Sequence, residues 1–211
     1  MRLDFIFDVE TMGQSVFDCP VLDVAYAVFD WERFSSNPYS FEELTTLVQY
    51  DKLSIEEQVN KYDCKVSTSA INFWQRQEPA ARKKILPTKE DLTFSDFCAN
   101  LFKYLRESGN IQYWWSRSNT FDPIILWRLI RKEGRDALLD EYLKYWRVRD
   151  IRTYIDAKFD FKTKNGFIPI ADEQYWNKVF VAHDSIHDVA ADILRLQAIF
   201  RAENDLEHIN R

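Results

Sequence analysis

At 211 residues, with 46% hydrophobic and 16% aromatic side chains, the chain carries enough apolar material for one globular core, and we expect residues 1–211 to form a single domain. Its formal charge of -6 excludes a broad basic surface that would hold duplex DNA by neutralising phosphates, so any grip on nucleic acid must be local. No apolar run approaches the roughly 20 residues needed to span a bilayer, and the N-terminus enters Leu3-Asp4-Phe5-Ile6-Phe7 without a basic leader, so a cytoplasmic location is expected.

In chain order, Leu3 to Phe7 reads as a short buried strand and Val21 to Phe29 as a second that pairs with it. Leu44 to Tyr50 has the β-branched and aromatic content of a third strand. Ser67 to Gln77 and Leu92 to Leu105 place apolar residues at helical spacing. The aromatic run Ile111 to Trp115 predicts a fourth strand, followed by a helix from Pro123 to Lys132 with its proline in the first turn. A short strand at Arg147 to Asp150 leads into a helix over Thr153 to Lys158, and a last helix runs from about Asp184 to Ala202. The pattern is α/β. Phe159 to Lys178, with its turn Lys162-Thr163-Lys164-Asn165-Gly166, reads as the most mobile loop and one able to cover a site. Cys19, Cys64 and Cys98 lack metal-ligand spacing and are odd in number, which predicts reduced, structural thiols.

Asp8 and Glu10 alternate at the end of the first strand, so the two-residue period points both carboxylates to one face, where they can share a metal. Taken alone, an Asp-x-Glu is more often a pair of solvated acids. Asp122 lies between the aromatic strand and the Pro123 helix, a position that suits an N-cap as well as a site carboxylate. In His183-Asp184-Ser185-Ile186-His187-Asp188, two registers compete. His183 with Asp188 and His187 with Asp192 are both five residues apart, roughly 140° around a helix, so one partner of the functional pair must sit outside the helix. His183 can occupy the entry loop, which favours the first register. Asp184 is then the N-cap, Asp192 a solvated or supporting acid, and His187 and His208 structural.

The set Asp8-Val9-Glu10-Thr11, Asn119-Thr120-Phe121-Asp122 and His183 with Asp188 resembles, in the same chain order, the DEDDh exonucleases of the ribonuclease H-like superfamily. Asp8-Val9-Glu10-Thr11-Met12-Gly13 and Arg149-Asp150-Ile151-Arg152-Thr153 are similar to stretches of a group of bacteriophage exonucleases and small bacterial exoribonucleases. One departure is His187, where relatives often carry an acid.

The resemblance implies a ribonuclease H-like fold, a central mixed β-sheet flanked by α-helices. It implies 3′-to-5′ hydrolysis of single-stranded nucleic acid, with DNA favoured and nucleoside 5′-monophosphates released. Asp8, Glu10, Asp122 and Asp188 would hold two Mg²⁺ (or Mn²⁺), ions that suit hard carboxylate oxygens, and His183 would be the general base. Thr11 and Met12 would contact the terminal nucleotide, with backbone groups reading the 3′ hydroxyl. Phe121 would stack on a base or pack in the core, and Trp74 and Gln77 would face the cleft unless Trp74 is buried. Asp150 and Arg152 would support the site or contact a nucleotide, a simple ion pair being the alternative. The location would be the host cytoplasm for a phage-encoded chain, and the oligomeric state stays open, a homodimer included. The rivals are an exoribonuclease trimming RNA 3′ ends and a catalytically silent binding module.

Overall fold

A computed structural model describes residues 2–160 and 162–209, and the side chains of residues 80 and 204–209 are not among the described ones. His208 therefore lies outside the described side chains, as Phe161 lies outside the described residues.

The chain opens with β1 (Leu3–Thr11) and β2 (Val21–Asp30), an antiparallel pair. Two short helices follow, α1 (Arg33–Ser36) and α2 (Phe41–Leu47), and then the edge strand β3 (Gln49–Lys52). The expected strand over Leu44 to Tyr50 is thus divided between a helix and a strand. Ser40 caps α2 by accepting from the Glu43 backbone N–H, and with Glu42 and Glu43 in the first turn this start signal overrides the β-branched content of the following threonines.

Next come α3 (Ile55–Tyr62), α4 (Thr68–Gln75), α5 (Pro79–Lys84) and the long α6 (Phe94–Ser108), the first two and the last capped by Ser54, Ser67 and Thr93. Strand β4 (Ile111–Ser116) leads to α7 (Asp122–Lys132) and α8 (Asp136–Glu141). A single 3₁₀ turn then precedes β5 (Val148–Asp150), α9 (Ile151–Lys158), α10 (Glu173–Val179) and α11 (Ser185–Ile209). The segment expected as loop, Phe159 to Lys178, therefore ends in a helix: Asp172 accepts from the backbone N–H groups of Gln174 and Tyr175 and starts α10 there.

The five strands lie in the order β3-β2-β1-β4-β5, with β1, β4 and β5 mutually parallel and β2 and β3 antiparallel to their neighbours. Side-chain alternation along β1 divides the core. Phe5, Phe7 and Val9 meet Phe94, Phe97 and Leu101 of α6 and Leu126 and Leu129 of α7 on one face. Ile6 meets Trp115 of β4 and Ile193 and Leu196 of α11 on the other. Asp4, Asp8 and Glu10 share that second face by parity. Asp4 is fully buried and structural: it accepts from the indoles of Trp31 (2.8 Å) and Trp115 (2.9 Å), the Tyr113 backbone N–H (3.2 Å) and Arg2 (3.0 Å). Among the described residues Asp8 and Glu10 have no such set of hydrogen-bond donors, and they lie toward the C-terminal end of β1, near the start of α11. No helix among the described residues is long and apolar enough to cross a membrane.

Candidate active site

Carboxylate oxygens of Asp8, Glu10 and Asp188 come within 4.8 Å of one another. Two come from the C-terminal end of β1 and the third from the first turn of α11, so elements far apart in sequence converge on one point. Asp122 and Asp8 line one open cleft of about 420 Å³, together with Arg117, Ser118, Thr120, Phe121 and Arg152. Asp122 is the first residue of α7 rather than its N-cap; Phe121 holds the cap position without a side-chain bond, and Asp122 is 6% exposed.

Burial and crowding act together on these acids. Asp8 is held well above the usual carboxylate range, first by burial and then by the charges of Asp122, Asp188 and Glu10. Glu10 is raised by burial and then by Asp23 and Asp188. Asp122 is pushed up to about 8, chiefly by burial. Asp188 is pushed up to about 7 by burial and by Asp192. Such a cluster is disfavoured when fully ionised and favours an added cation.

His183 sits in the turn before α11 with φ +59, a left-handed backbone in the entry loop. Its Nδ1 lies 3.9 Å from Glu10 Oε1 and its side chain is 44% exposed. Burial lowers its pKa below the ordinary imidazole value, which keeps it neutral. His187 is turned away: its Nδ1 accepts from the Val181 backbone N–H (2.9 Å), and its ring packs edge-on against Phe41 (centroids 5.2 Å apart). Of the two registers, His183 with Asp188 is the one the fold brings to the acids. Asp184 accepts from the Ile186 backbone N–H (3.1 Å) at the start of α11, as expected, and pairs with Lys84 (3.0 Å).

Several expected substrate contacts are placed differently. Trp74 is 1% exposed, and its indole donates to the Thr11 carbonyl (3.1 Å), so it shapes the strand end from within the core. Gln77 falls beyond the end of α4, and its amide bonds back to the Phe73 carbonyl (3.0 Å). The residue of this helix that reaches the site is Phe73, whose ring stands edge-on to His183 with centroids 4.9 Å apart. Met12 is buried with Leu22, Trp74 and Ala81; its N–H donates to Pro20 O (3.0 Å) and its carbonyl accepts from Ser67 N (2.9 Å), which leaves no backbone donor for a nucleotide. Thr11 is half-buried and its Oγ1 donates to Gly13 O (2.6 Å). Phe121 is half-buried against the α6–α7 core while also lining the cleft. Asp150 spends both oxygens on backbone, accepting from Thr153 N (2.6 Å) as the cap of α9 and from Asn119 N (2.8 Å), which fixes the loop before Asp122. Arg152 is exposed and lines the cleft.

Residues outside the expected metal set also bear on the site. Asp192 is buried and accepts from Arg117 through both oxygens and from Arg195 (2.6 Å), so it is the anchor of an ion network rather than a solvated acid. Asp23 stands directly opposite Glu10 in the β1–β2 register, fully buried, and accepts from the Ser185 hydroxyl (2.6 Å) and from Tyr50 (3.3 Å). A polar residue within an otherwise apolar strand was the one sequence signal available for Asp23. The cysteines are free and buried; burial raises the Cys19 thiol to about 11 and the Cys98 thiol to about 12, so both stay neutral.

This constellation stands at one end of a five-stranded mixed sheet flanked by helices, the architecture of exonuclease I-like nucleases. Residues 4–199 match the family model described as the 3′-5′ exoribonuclease Rv2179c-like domain, and the chain belongs to that family of 3′-5′ exonucleases. It is 35% identical over 218 residues to an exodeoxyribonuclease of Enterobacteria phage T4, a match that covers 97% of this chain and 92% of that one. Among solved structures, E. coli exonuclease I in complex with a 5cy-dA13 oligonucleotide superposes with a TM-score of 0.61 at 14% identity, over 96% of this chain and 42% of that one. Cell-death related nuclease 4 superposes with a TM-score of 0.56 at 14% identity, over 95% of this chain and 64% of the other. The chain thus spans less than half the length of the exonuclease I chain, and these two likenesses show the shared fold.

Proposed function

We propose that this protein removes nucleoside 5′-monophosphates from the 3′ end of single-stranded DNA. Asp8, Glu10, Asp122 and Asp188 would hold two Mg²⁺ (or Mn²⁺), and His183 would act as the general base. The observation that carries this reading is the convergence of Asp8, Glu10 and Asp188 within 4.8 Å in a pocket that raises their pKa values. The donors are hard carboxylate oxygens with no thiolate among them, which suits Mg²⁺ or Mn²⁺ over zinc. When bound, such ions supply Lewis-acid polarisation of the phosphodiester and offset the charge that builds on its oxygens.

The chain's own groups account for the rest. The neutral imidazole of His183 accepts the proton of the attacking water near neutral pH, a role worth about 10²–10⁴-fold in rate. Thr11 Oγ1 gives its proton to Gly13 O, so its lone pairs are left to accept from a 3′ hydroxyl, which would restrict attack to strand ends. Arg152 offers the cleft an exposed cation for a phosphate, and Phe121 an aromatic edge for the terminal base.

DNA is preferred in this reading because the 35%-identical relative, matched over nearly the whole chain, is named an exodeoxyribonuclease. The family description as an exoribonuclease favours RNA as the second reading. Matched 5′-labelled DNA and RNA strands in parallel time courses test the choice: faster shortening of DNA supports the first, and faster shortening of RNA replaces it with the second. A silent binding module is disfavoured, because burying mutually repelling carboxylates without satisfying partners costs stability that only an added cation or a proton recovers.

A further inference from the structure

The end of the segment between α9 and α10, with α10 and α11, borders an open cavity of about 600 Å³ that the reading above leaves unused. Its walls are largely apolar, formed by Phe167, Ile168, Pro169, Ile170 and Trp176, with Arg195 of α11 and Glu173 of α10 as the charged side chains. Arg195 is 4% exposed and donates to Asp192 through Nη1, while its Nε has no hydrogen-bond partner among the described residues.

The cavity adjoins the active-site cleft. Arg117 lines the cleft beside Asp8 and Asp122, and its guanidinium carbon lies 4.4 Å from the centroid of the Phe167 ring, which lines the cavity. Arg195 lies 4.9 Å from the same ring. Arg117 Nη1 also donates to the Asn165 carbonyl (3.1 Å), tying the loop to the cleft wall. Gly166 packs so closely on Arg152, another cleft residue, that a Cβ there would come within 2.8 Å of the Arg152 Cα. Phe167 is nevertheless 51% exposed, a large aromatic surface held in place by two cations and open on its remaining side.

We propose that this cavity binds a nucleobase of the single strand held in the cleft, upstream of the terminal nucleotide. The proposal rests on the nuclease reading and adds a second point of grip to it. Phe167 supplies the stacking face, and Trp176, itself stacked on Phe180 and edge-on to Phe41, forms a fixed dry wall with the aliphatic residues. The Arg195 guanidinium faces the ring nitrogens and carbonyls that every base carries on its edge. A phosphate fits less well, because Asp192 already pairs with both guanidiniums, the Glu173 carboxylate on the wall repels an anion, and the remaining walls are apolar. Stacking of this kind tolerates any base, as an exonuclease that must advance along a strand requires.

The test is digestion of a 5′-labelled single strand carrying one abasic nucleotide, by the whole protein with Mg²⁺. Wild type should pause when the abasic nucleotide lies at one fixed internal distance from the shortening 3′ end, and the pause should move with the lesion. Phe167→Ala should lower kcat/KM on the intact strand by about 5- to 100-fold and erase that pause. Ile170→Trp, which fills the cavity, should do the same and guards against a folding defect in the first variant. A wild-type ladder without an internal pause, or a pause that survives both substitutions, would overturn the proposal. Failure of wild type to shorten even the intact strand would overturn the nuclease reading, and this proposal with it.

Discussion

Asp23 faces Glu10 across the β1–β2 ladder and takes the Ser185 hydroxyl at 2.6 Å, so β2, the neighbour of the strand that supplies two site carboxylates, is bonded to the residue two positions after His183. The turn holding His183 at positive φ is thereby fastened on one side to Asp23 beside the acids, and on the other to Lys84 through Asp184. Removing the fastening should loosen the base without removing it. Ser185→Ala is expected to lower kcat by about 10- to 100-fold, the scale of an ångström-sized misplacement, with KM and the Mg²⁺ dependence little changed. Steady-state kinetics with Ser185→Thr as the hydroxyl-retaining control check this. Equal loss in a His183→Ala background would show that the hydroxyl acts elsewhere.

The two histidines separate activity from stability. His183→Ala should cost about 10²–10⁴-fold in kcat with little effect on the melting temperature, because the ring is half-exposed. His187→Ala removes the acceptor of the half-buried Val181 N–H and a ring packed on Phe41, and should cost about 1–3 kcal/mol of stability while sparing the chemistry. Melting curves and rates measured on both variants would reveal a reversed ranking.

Raised carboxylate pKa values set the pH dependence of the metal-free fold. Asp122 at about 8 and Asp188 at about 7 bind protons in the folded chain that the unfolded chain releases near 4. Folded protein therefore holds more protons between those limits, and metal-free stability should fall as pH rises from about 4 to about 8. A divalent ion at roughly 100 times its dissociation constant should restore about 2.7 kcal/mol at the upper end, or roughly 5–10 °C in Tm. Thermal melts in EDTA across that range check the slope, and a rise in stability with pH would contradict the charge assignment.

Much of the architecture was legible because local signals agreed with tertiary packing. β1, β2, β4, α6 and α7 each carry the apolar period their place in the core requires, and the observed bounds lie close to the expected ones. The misreading at Leu44 to Tyr50 came from weighing threonine content above the Ser40 cap, and that at Phe159 to Lys178 from overlooking Asp172 as a helix start. Among candidate contacts, Trp74 and Phe73 are neighbours on one helix, and only the direction of that helix decides which is buried and which meets His183. Asp23 and Arg117 act through pairings between distant segments, which no local pattern records, whereas Arg195 meets Asp192 one turn away on α11.

The central claim is that carboxylates gathered at the end of β1 and the start of α11 hold divalent ions for cleavage at a 3′ terminus. The most direct measurement is a time course on 5′-labelled single-stranded DNA with wild type and Asp8→Asn, each in Mg²⁺ and in EDTA. Stepwise shortening from the 3′ end by wild type in Mg²⁺ alone, with Asp8→Asn folded and inactive, is the predicted result. Shortening that persists in EDTA, or in Asp8→Asn, would contradict it.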